Sequence, residues 1–489
     1  MTRSSNPRRD WLLLTLAAGV PRLLGAFFLP NTFGDAYVYI RDIGALSTKL
    51  KAGTFAITDL YGFWLPFYQF ISAVINVVVG NGFYAGKVVS AMFGIGVCLL
   101  VYAITFQLVA HRIAALLAFA LIAFNPQHIL NSASAMTDVP HAFFVLASLY
   151  FVLKGGWIGA AIFAALAGLT RVESWMFLGL IPLLQFFRER RVSIPAILIM
   201  LLPPLFWFWI SWKAAGDWLA CFRVRQQYHD WLLTQNPALA EFSFFGVLKD
   251  GAMLVSGTDL AVLLGTCVAG GLVLKGLVRG KLGDSQGSER VLPPLVFFSA
   301  FMALLLAAYL THQQPIIFPR YGLILFGLGI PILAWSYFSL IRKRPNWSRT
   351  LLIAIVLLCV VNAGAQFVGA IGELNRYSAQ RAVADYLRDH FDPNSNGRIF
   401  CDEGTVTVLS GIPADRFLTS ADAPKDRVRF LQYLKEKNVE YFVYIRKLDS
   451  TATHIFSDAE SIKSQGFELV VDHHTVLLST HIWVFRLSS

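Results

Sequence analysis

Apolar residues in this chain come in long runs, and only its last quarter alternates in short stretches. A run of roughly twenty residues crosses a bilayer as a helix. Candidate spans fall at 11–29, 83–110, 113–128, 139–153, 157–170, 174–187, 193–212, 258–278, 291–310, 320–341 and 350–371, with a twelfth apolar run at 64–80. The short runs between 139 and 187 are cut by Lys154 and by Arg171 and Glu173, side chains that lipid does not tolerate without a partner. In the long connection 30–82, residues 36–52 place Ala36, Ile40, Ile43 and Leu50 on one helical face and keep Arg41, Asp42, Lys49 and Lys51 off it. That is the pattern of a helix lying in the membrane interface. A second connection, 213–257, mixes Trp218, Phe222, Arg223, Arg225, Tyr228, His229 and Trp231, as expected of a segment at the membrane surface.

The pattern changes near residue 372. A polar helix is predicted near 376–390, strands at 398–401 and 440–445, a helix near 425–437, and strands near 467–472 and 481–487. Strands alternating with helices predict a small α/β domain. The expected organisation is therefore 1–372 in the membrane and 373–489 as a separate α/β domain. The latter contains no GxGxxG, P-loop or HExxH sequence, so nothing in it announces catalysis.

Composition agrees with a polytopic α-helical membrane protein: 56% of 489 residues are hydrophobic, 15% are charged, and the mean hydropathy is +0.57. The net charge of +11 does not signal nucleic acid, because residues 1–372 hold 27 Lys and Arg against 14 Asp and Glu, whereas 373–489 hold 14 against 16. The excess is topological. With the N-terminus cytoplasmic and 64–80 not crossing, Arg112, Lys154, Arg188, Arg190, Arg191, Lys275, Arg279, Lys281, Arg290, Arg342, Lys343, Arg344 and Arg349 all fall on the cytoplasmic side. Eleven spans follow, with 64–80 lying along or dipping into the outer leaflet and the C-terminal domain outside. The first run follows Arg3, Arg8 and Arg9 without a small-residue cleavage site, and reads as an uncleaved span. Five scattered cysteines form neither a disulfide framework nor a CxxC metal pattern.

The same topology puts three polar constellations at one depth on the outer side. Asp35, in Asn31-Thr32-Phe33-Gly34-Asp35-Ala36-Tyr37, precedes the amphipathic helix and also suits a helix start. Asp138, in Thr137-Asp138-Val139-Pro140-His141, could simply open the next helix. Arg171 and Glu173, in Thr170-Arg171-Val172-Glu173-Ser174, could simply pair with each other. Together they offer a carboxylate to take a hydroxyl proton, a second to position that hydroxyl, and a cation for a phosphate. His141, His229 and His312 follow no metal-ligand spacing, which leaves a divalent metal open and none assigned.

The acid in the first outer loop, the two membrane-parallel segments there, the MTDVP and LTRVES turns, and the late FPRYGLILFGLGIP stretch resemble the GT-C superfamily of integral-membrane glycosyltransferases. The protein O-mannosyltransferases and the lipid A aminoarabinose transferase are the branches it resembles most. The resemblance implies a polyprenyl-phosphate-linked sugar as donor, reaction at the outer face of the membrane, here a prokaryotic plasma (inner) membrane, and Asp35 as general base; Asp138 is the second catalytic candidate, read from the residues as the carboxylate that positions the hydroxyl. The resemblance also suggests Arg320 as a phosphate ligand, a residue that could equally be an interfacial anchor beside Tyr321. From the residues themselves, Arg171 is the second cationic candidate, His312, Gln313 and Gln314 could supply further donors toward phosphate oxygens, and Glu173 and Tyr321 complete the candidate donor-binding set. The acceptor would be a glycan, lipid or protein hydroxyl. Asp35 is followed by Ala36, unlike the paired acids typical of protein O-mannosyltransferases. No WWD-type motif occurs in 373–489, which points to transfer of one sugar rather than a large glycan. The other reading is a transporter or flippase of a lipid-linked or anionic substrate, which would carry its ionisable residues near the bilayer midplane.

Overall fold

The computed structural model describes residues 7–235, 243–278, 288–314, 316–420, 423–445, 451–475 and 480–487. Arg3, Arg279 and Lys281 of the basic clusters lie outside the described residues. The chain divides into two compact units, one of Met1–Pro30 with Asp42–Ala370 and one of Asn31–Arg41 with Ile371–Ser489.

The first unit is helical throughout. Its elements are α1 (Pro7–Phe28), α2 (Gly34–Ala52, which begins in the second unit), α3 (Phe67–Val79), α4 (Gly82–Val109), α5 (Arg112–Ala123), α6 (Pro126–Ser132), α7 (Asp138–Lys154) and α8 (Trp157–Thr170). They continue as α9 (Phe177–Glu189), α10 (Ile194–Ala215), α11 (Ala220–Gln235), α12 (Phe244–Thr258), α13 (Leu260–Val278), α14 (Ser288–Leu310), α15 (Leu323–Lys343) and α16 (Ser348–Asn375). The core lies between α4, α7 and α15, where Val101, Ile104, Val145, Leu146, Leu328 and Ile330 are fully enclosed. The outward faces keep large apolar side chains exposed, among them Leu12, Phe28, Leu198 and Val361, as a lipid-facing surface requires.

Among the described residues, seven helices are long and apolar enough to cross a membrane, and the α5–α6 pair, bent by 61°, makes an eighth. The run expected at 113–128 is thus a broken span. Pro126 cannot continue the hydrogen-bond ladder, and the Asn125 side chain accepts from the His128 amide to start α6 afresh. The buried Arg22 guanidinium fills the break, donating to the Ile122 and Ala123 carbonyls at the end of α5 and meeting His128 Nδ1 at 2.7 Å. The runs at 139–153, 157–170 and 174–187 are helices of 17, 14 and 13 residues. At 13 residues, α3 is likewise shorter than a span. Helix α2 is amphipathic as expected, with Ala36, Ile40 and Ile43 buried and Arg41, Lys49 and Lys51 exposed.

The second unit holds α17 (Ser378–His390), β1 (Arg398–Cys401), α18 (Gly404–Ser410), β2 (Phe417–Leu418), α19 (Arg427–Glu436), β3 (Val439–Ile445), α20 (Thr451–Ile455), α21 (Ala459–Lys463), β4 (Phe467–Thr475) and β5 (Thr480–Leu487). The strand order is β2-β1-β3-β5-β4, with β1 parallel to both neighbours and β5 antiparallel to β3 and β4. Alternation along β3 explains the layering: Tyr441, Val443 and Ile445 face α17 and α18, while Phe442 and Tyr444 face α19, α20 and α21. The predicted helices and strands of this domain appear with shifts of a few residues; α18, β2, α20 and α21 were not anticipated.

Candidate functional site

Asp138 opens α7, and Pro140 sits within the helix's first turn, where no amide hydrogen is needed. The first turn also favours an anion, because the helix dipole is positive there. Asp138 is 7% exposed. Its Oδ1 accepts from Arg171 Nη1 at 3.0 Å, whereas Oδ2 is buried without a hydrogen-bond partner among the described residues.

Arg171 adopts an extended conformation between α8 and the short 3₁₀ turn Val172–Met176. Its Nε and Nη2 donate to Glu173 Oε1 at 3.1 and 2.8 Å, so one guanidinium bridges two carboxylates from different helix ends. The simple Arg171–Glu173 pairing is therefore present and is not the whole arrangement. Burial alone would raise the Glu173 carboxyl, but the charge and hydrogen bonds of Arg171 outweigh it and hold the group down at about 2. His141 Nε2 meets Ser174 Oγ at 2.7 Å, which ties α7 to the same turn.

Arg320 and Tyr321 come from the other side, on the 3₁₀ turn Pro319–Gly322 that leads into α15. The turn packs directly on the end of α12: a methyl group on Gly257 would overlap the Pro319 carbonyl, and one on Gly322 would overlap the Gly257 backbone. Only glycine allows that approach. The Arg320 guanidinium lies 5.4 Å from the ring centres of both Phe318 and Tyr321.

These residues line one cavity of about 110 Å³, where Asp138, His141, Arg171, Glu173, Gln314, Arg320 and Tyr321 supply the polar wall and α14 and α15 the apolar one. Two carboxylates and two guanidiniums line this wall, and Arg171 is engaged by both carboxylates. His312 does not line the cavity. It ends α14 in a left-handed conformation, φ 57°, and its carbonyl accepts from His229 Nε2. Asp35 belongs to the second unit, as the half-buried second residue of α2.

His141, read from the sequence as a lone histidine, and Gln314, read as a possible further donor to phosphate oxygens, both line the cavity. One feature had no sequence signal. Lys87, near the start of α4, is completely buried and donates to the Leu29 carbonyl at 2.5 Å, with the Phe83 ring 5.0 Å away. Among the described residues, no three or more His, Cys, Asp or Glu side chains are grouped to hold a metal ion. A second cavity, about 680 Å³ and almost wholly apolar, lies between α3, α8 and α10 and is lined by Phe67, Phe70, Leu166, Ile199, Phe206 and Trp209, among others.

Residues 46–181, a stretch containing Asp138, Arg171 and Glu173, match the family model of dolichyl-phosphate-mannose-protein mannosyltransferase. No curated protein matches the chain. The fold is similar to that of ArnT from Cupriavidus metallidurans in the apo state, with a TM-score of 0.59 and 11% identity over 98% of each chain. The ArnT structure bound to undecaprenyl phosphate matches with a TM-score of 0.57 and 11% identity, over 99% of this chain and 98% of that one. The arabinofuranosyltransferase AftD from Mycobacteria is 12% identical over 99% of this chain and 40% of its own, with a TM-score of 0.44. The GT-C resemblance read from the sequence is thus borne out, and the chain is an integral membrane protein with an ArnT-like fold.

Proposed function

We propose that the chain is a membrane glycosyltransferase that moves one sugar from a polyprenyl-phosphate donor to an acceptor hydroxyl at the outer face of a prokaryotic plasma membrane. The observation that carries this reading is the single cavity into which Asp138, Arg171, Glu173 and Arg320 converge from three separate turns. The match of residues 46–181 to a mannosyltransferase family model weighs against the transporter or flippase alternative. The ArnT structure with undecaprenyl phosphate motivates a carrier of that chemical class. The apolar cavity between α3, α8 and α10 offers the kind of lining an isoprenoid chain needs.

The acceptor oxygen attacks the anomeric carbon, and the bond from that carbon to the donor's phosphate oxygen breaks. The hydroxyl proton passes to a carboxylate, for which Asp35 is the candidate. The electron pair of the broken bond leaves with the polyprenyl phosphate, whose growing charge needs a cation beside it. Arg320 suits that task because its planar fork of donors matches phosphate oxygens. Arg171 is the second candidate, although its two carboxylate bonds fit it better to holding Asp138 in orientation. Asp138 keeps Oδ2 available toward the acceptor hydroxyl. The test is a transfer assay of the purified protein with a panel of polyprenyl-phosphate sugars and membrane extracts as acceptor source. Sugar incorporation from one donor class supports the reading, and no incorporation from any of them removes it.

A further inference from the structure

The first-loop segment Asn31–Arg41 is part of the same compact unit as the C-terminal α/β domain, although nearly 330 residues separate them in sequence. Aromatic contacts make the attachment. The rings of Tyr37 and Tyr377 meet edge to face at 5.4 Å. The Tyr377 hydroxyl lies 3.1 Å from where a methyl group on Gly34 would sit, beside the backbone of the residue preceding Asp35. The Tyr37 hydroxyl donates to the Asn31 carbonyl at 3.2 Å and closes the segment on itself. Asn31, Thr32, Phe33 and Tyr37 are all buried.

The charged groups around this pair come from several elements. The charges of Arg381 and Glu403 act on Tyr37, and those of Arg376, Glu403, Asp35 and Glu373 act on Tyr377. Arg376 and Glu373 pair with each other at 2.9 Å, and Arg381 donates to the Leu374 carbonyl. Glu403, 6% exposed, caps α18 two residues past the carboxyl end of β1. The connections from β1 to β2 and from β2 to β3 run in opposite directions across the sheet. Their helices α18 and α19 pack on opposite faces. Open α/β sheets take their ligands outside the carboxyl ends of the strands at such a reversal. Here the group at that end, Glu403, acts electrostatically on the two tyrosines of the chain's own first-loop contact.

We propose that Tyr377 is a positioning residue for Asp35, and that the C-terminal domain works as a clamp on the first turn of α2. The proposal rests on the reading of Asp35 as the base. First turns of helices have unpaired amides and open readily, so a base placed there needs an external hold to keep its aim. Burial chiefly, against the opposing charge of Arg376 and with the carboxylates of Glu403, Asp35 and Glu373, pushes the Tyr377 phenol up to about 12. The phenol therefore stays a neutral hydroxyl dipole beside Asp35 through the working range.

The experiment compares full-length wild type, Tyr377→Phe, Gly34→Ala, Asp35→Asn and the double variant Asp35→Asn with Tyr377→Phe. The donor is the polyprenyl-phosphate sugar that the wild type uses fastest. Tyr377→Phe keeps the ring packing and is expected to lower kcat about tenfold with KM unchanged. Gly34→Ala presses on the same hydroxyl and should lower kcat with KM unchanged in the same way, so the test survives if Tyr377→Phe does not fold. In the Asp35→Asn background, Tyr377→Phe should leave the residual rate unchanged, because it acts through the missing carboxylate. Wild-type kcat in both single variants, or losses that simply multiply in the double variant, would overturn the proposal. An active Asp35→Asn variant would instead remove the base reading and the proposal with it. Amide exchange of residues 33–40 needs no substrate: Tyr377→Ala should speed it, and unchanged exchange would also overturn the clamp.

Discussion

At Asp35, replacement by Asn keeps the shape and much of the ability to serve a helix start while removing the proton acceptor. Turnover should fall roughly 10²- to 10⁴-fold with no matching loss of folded protein by size-exclusion and thermal melting; near-normal turnover would leave Asp35 as a helix-start residue only. At Arg320 the contrast is between a fork of donors and a point charge. Arg320→Lys should weaken donor use partially and Arg320→Ala severely, read from the donor-concentration dependence of transfer, whereas an interfacial anchor would accept Lys because both residues snorkel. Glu173 offers a test by pH. Its carboxyl is held at about 2 by Arg171, below its ordinary range near 4.3, so its contribution to stability is complete above that range and is lost as pH falls toward 2. Melting curves of Glu173→Gln should therefore approach those of wild type as pH falls through that window; a constant gap between them would contradict the assignment. Asp138, Arg171 and Glu173 were legible because charges bordering apolar runs stand out in sequence. Lys87 was not, since one lysine five residues into a long apolar helix reads as an interfacial side chain, and only packing reveals that it is enclosed.

The elements that aim these residues are breaks and turns more than spans. Pro126 and Asn125 split the run 113–128, and Arg22 supplies donors to the carbonyls left at the end of α5. The run of apolar letters hid the bend because hydropathy does not register a single proline, and the Arg22 contact spans about a hundred residues of sequence. The turn that carries Arg320 depends on backbone approach between Gly257 and Gly322. Gly322→Ala should displace that turn from α12 and weaken donor use to a degree resembling Arg320→Ala, while Gly270→Ala, which meets open space, should be silent. Equal behaviour of the two alanine variants in donor titrations would mean that the close approach does not position Arg320. In the C-terminal domain the longer elements were legible because their apolar positions follow the periods of helix and strand. The short ones, β2 with two residues and α20 and α21 with five each, carry too few positions for a period to appear.

Across the whole molecule, the sequence separates apolar from polar chain near residue 372 but cannot reveal that Asn31–Arg41 belongs to the later unit. That assignment comes from contacts such as Tyr37 with Tyr377, which no local pattern encodes. The sidedness of the account rests on the Lys and Arg distribution. Tags placed within 280–289 and 342–349 should report cytoplasmic, and tags within 232–240 and at the C-terminus should report outside; inversion of the later loops would mean that 64–80 crosses and would put Asp35 on the opposite side of the membrane from the loops that carry Asp138, Arg171 and Arg320. The central claim is transfer of one sugar from a polyprenyl-phosphate donor with Asp35 taking the acceptor's proton. Its most direct test is the initial rate of labelled-sugar transfer by purified wild type and Asp35→Asn in proteoliposomes, with a panel of polyprenyl-phosphate sugars and membrane-extract acceptors. The account predicts incorporation of a single sugar by the wild type from one of these donors, and a rate roughly 10²- to 10⁴-fold lower for the folded Asn variant. Failure of every donor with the wild type, or equal rates for the two proteins, would contradict it.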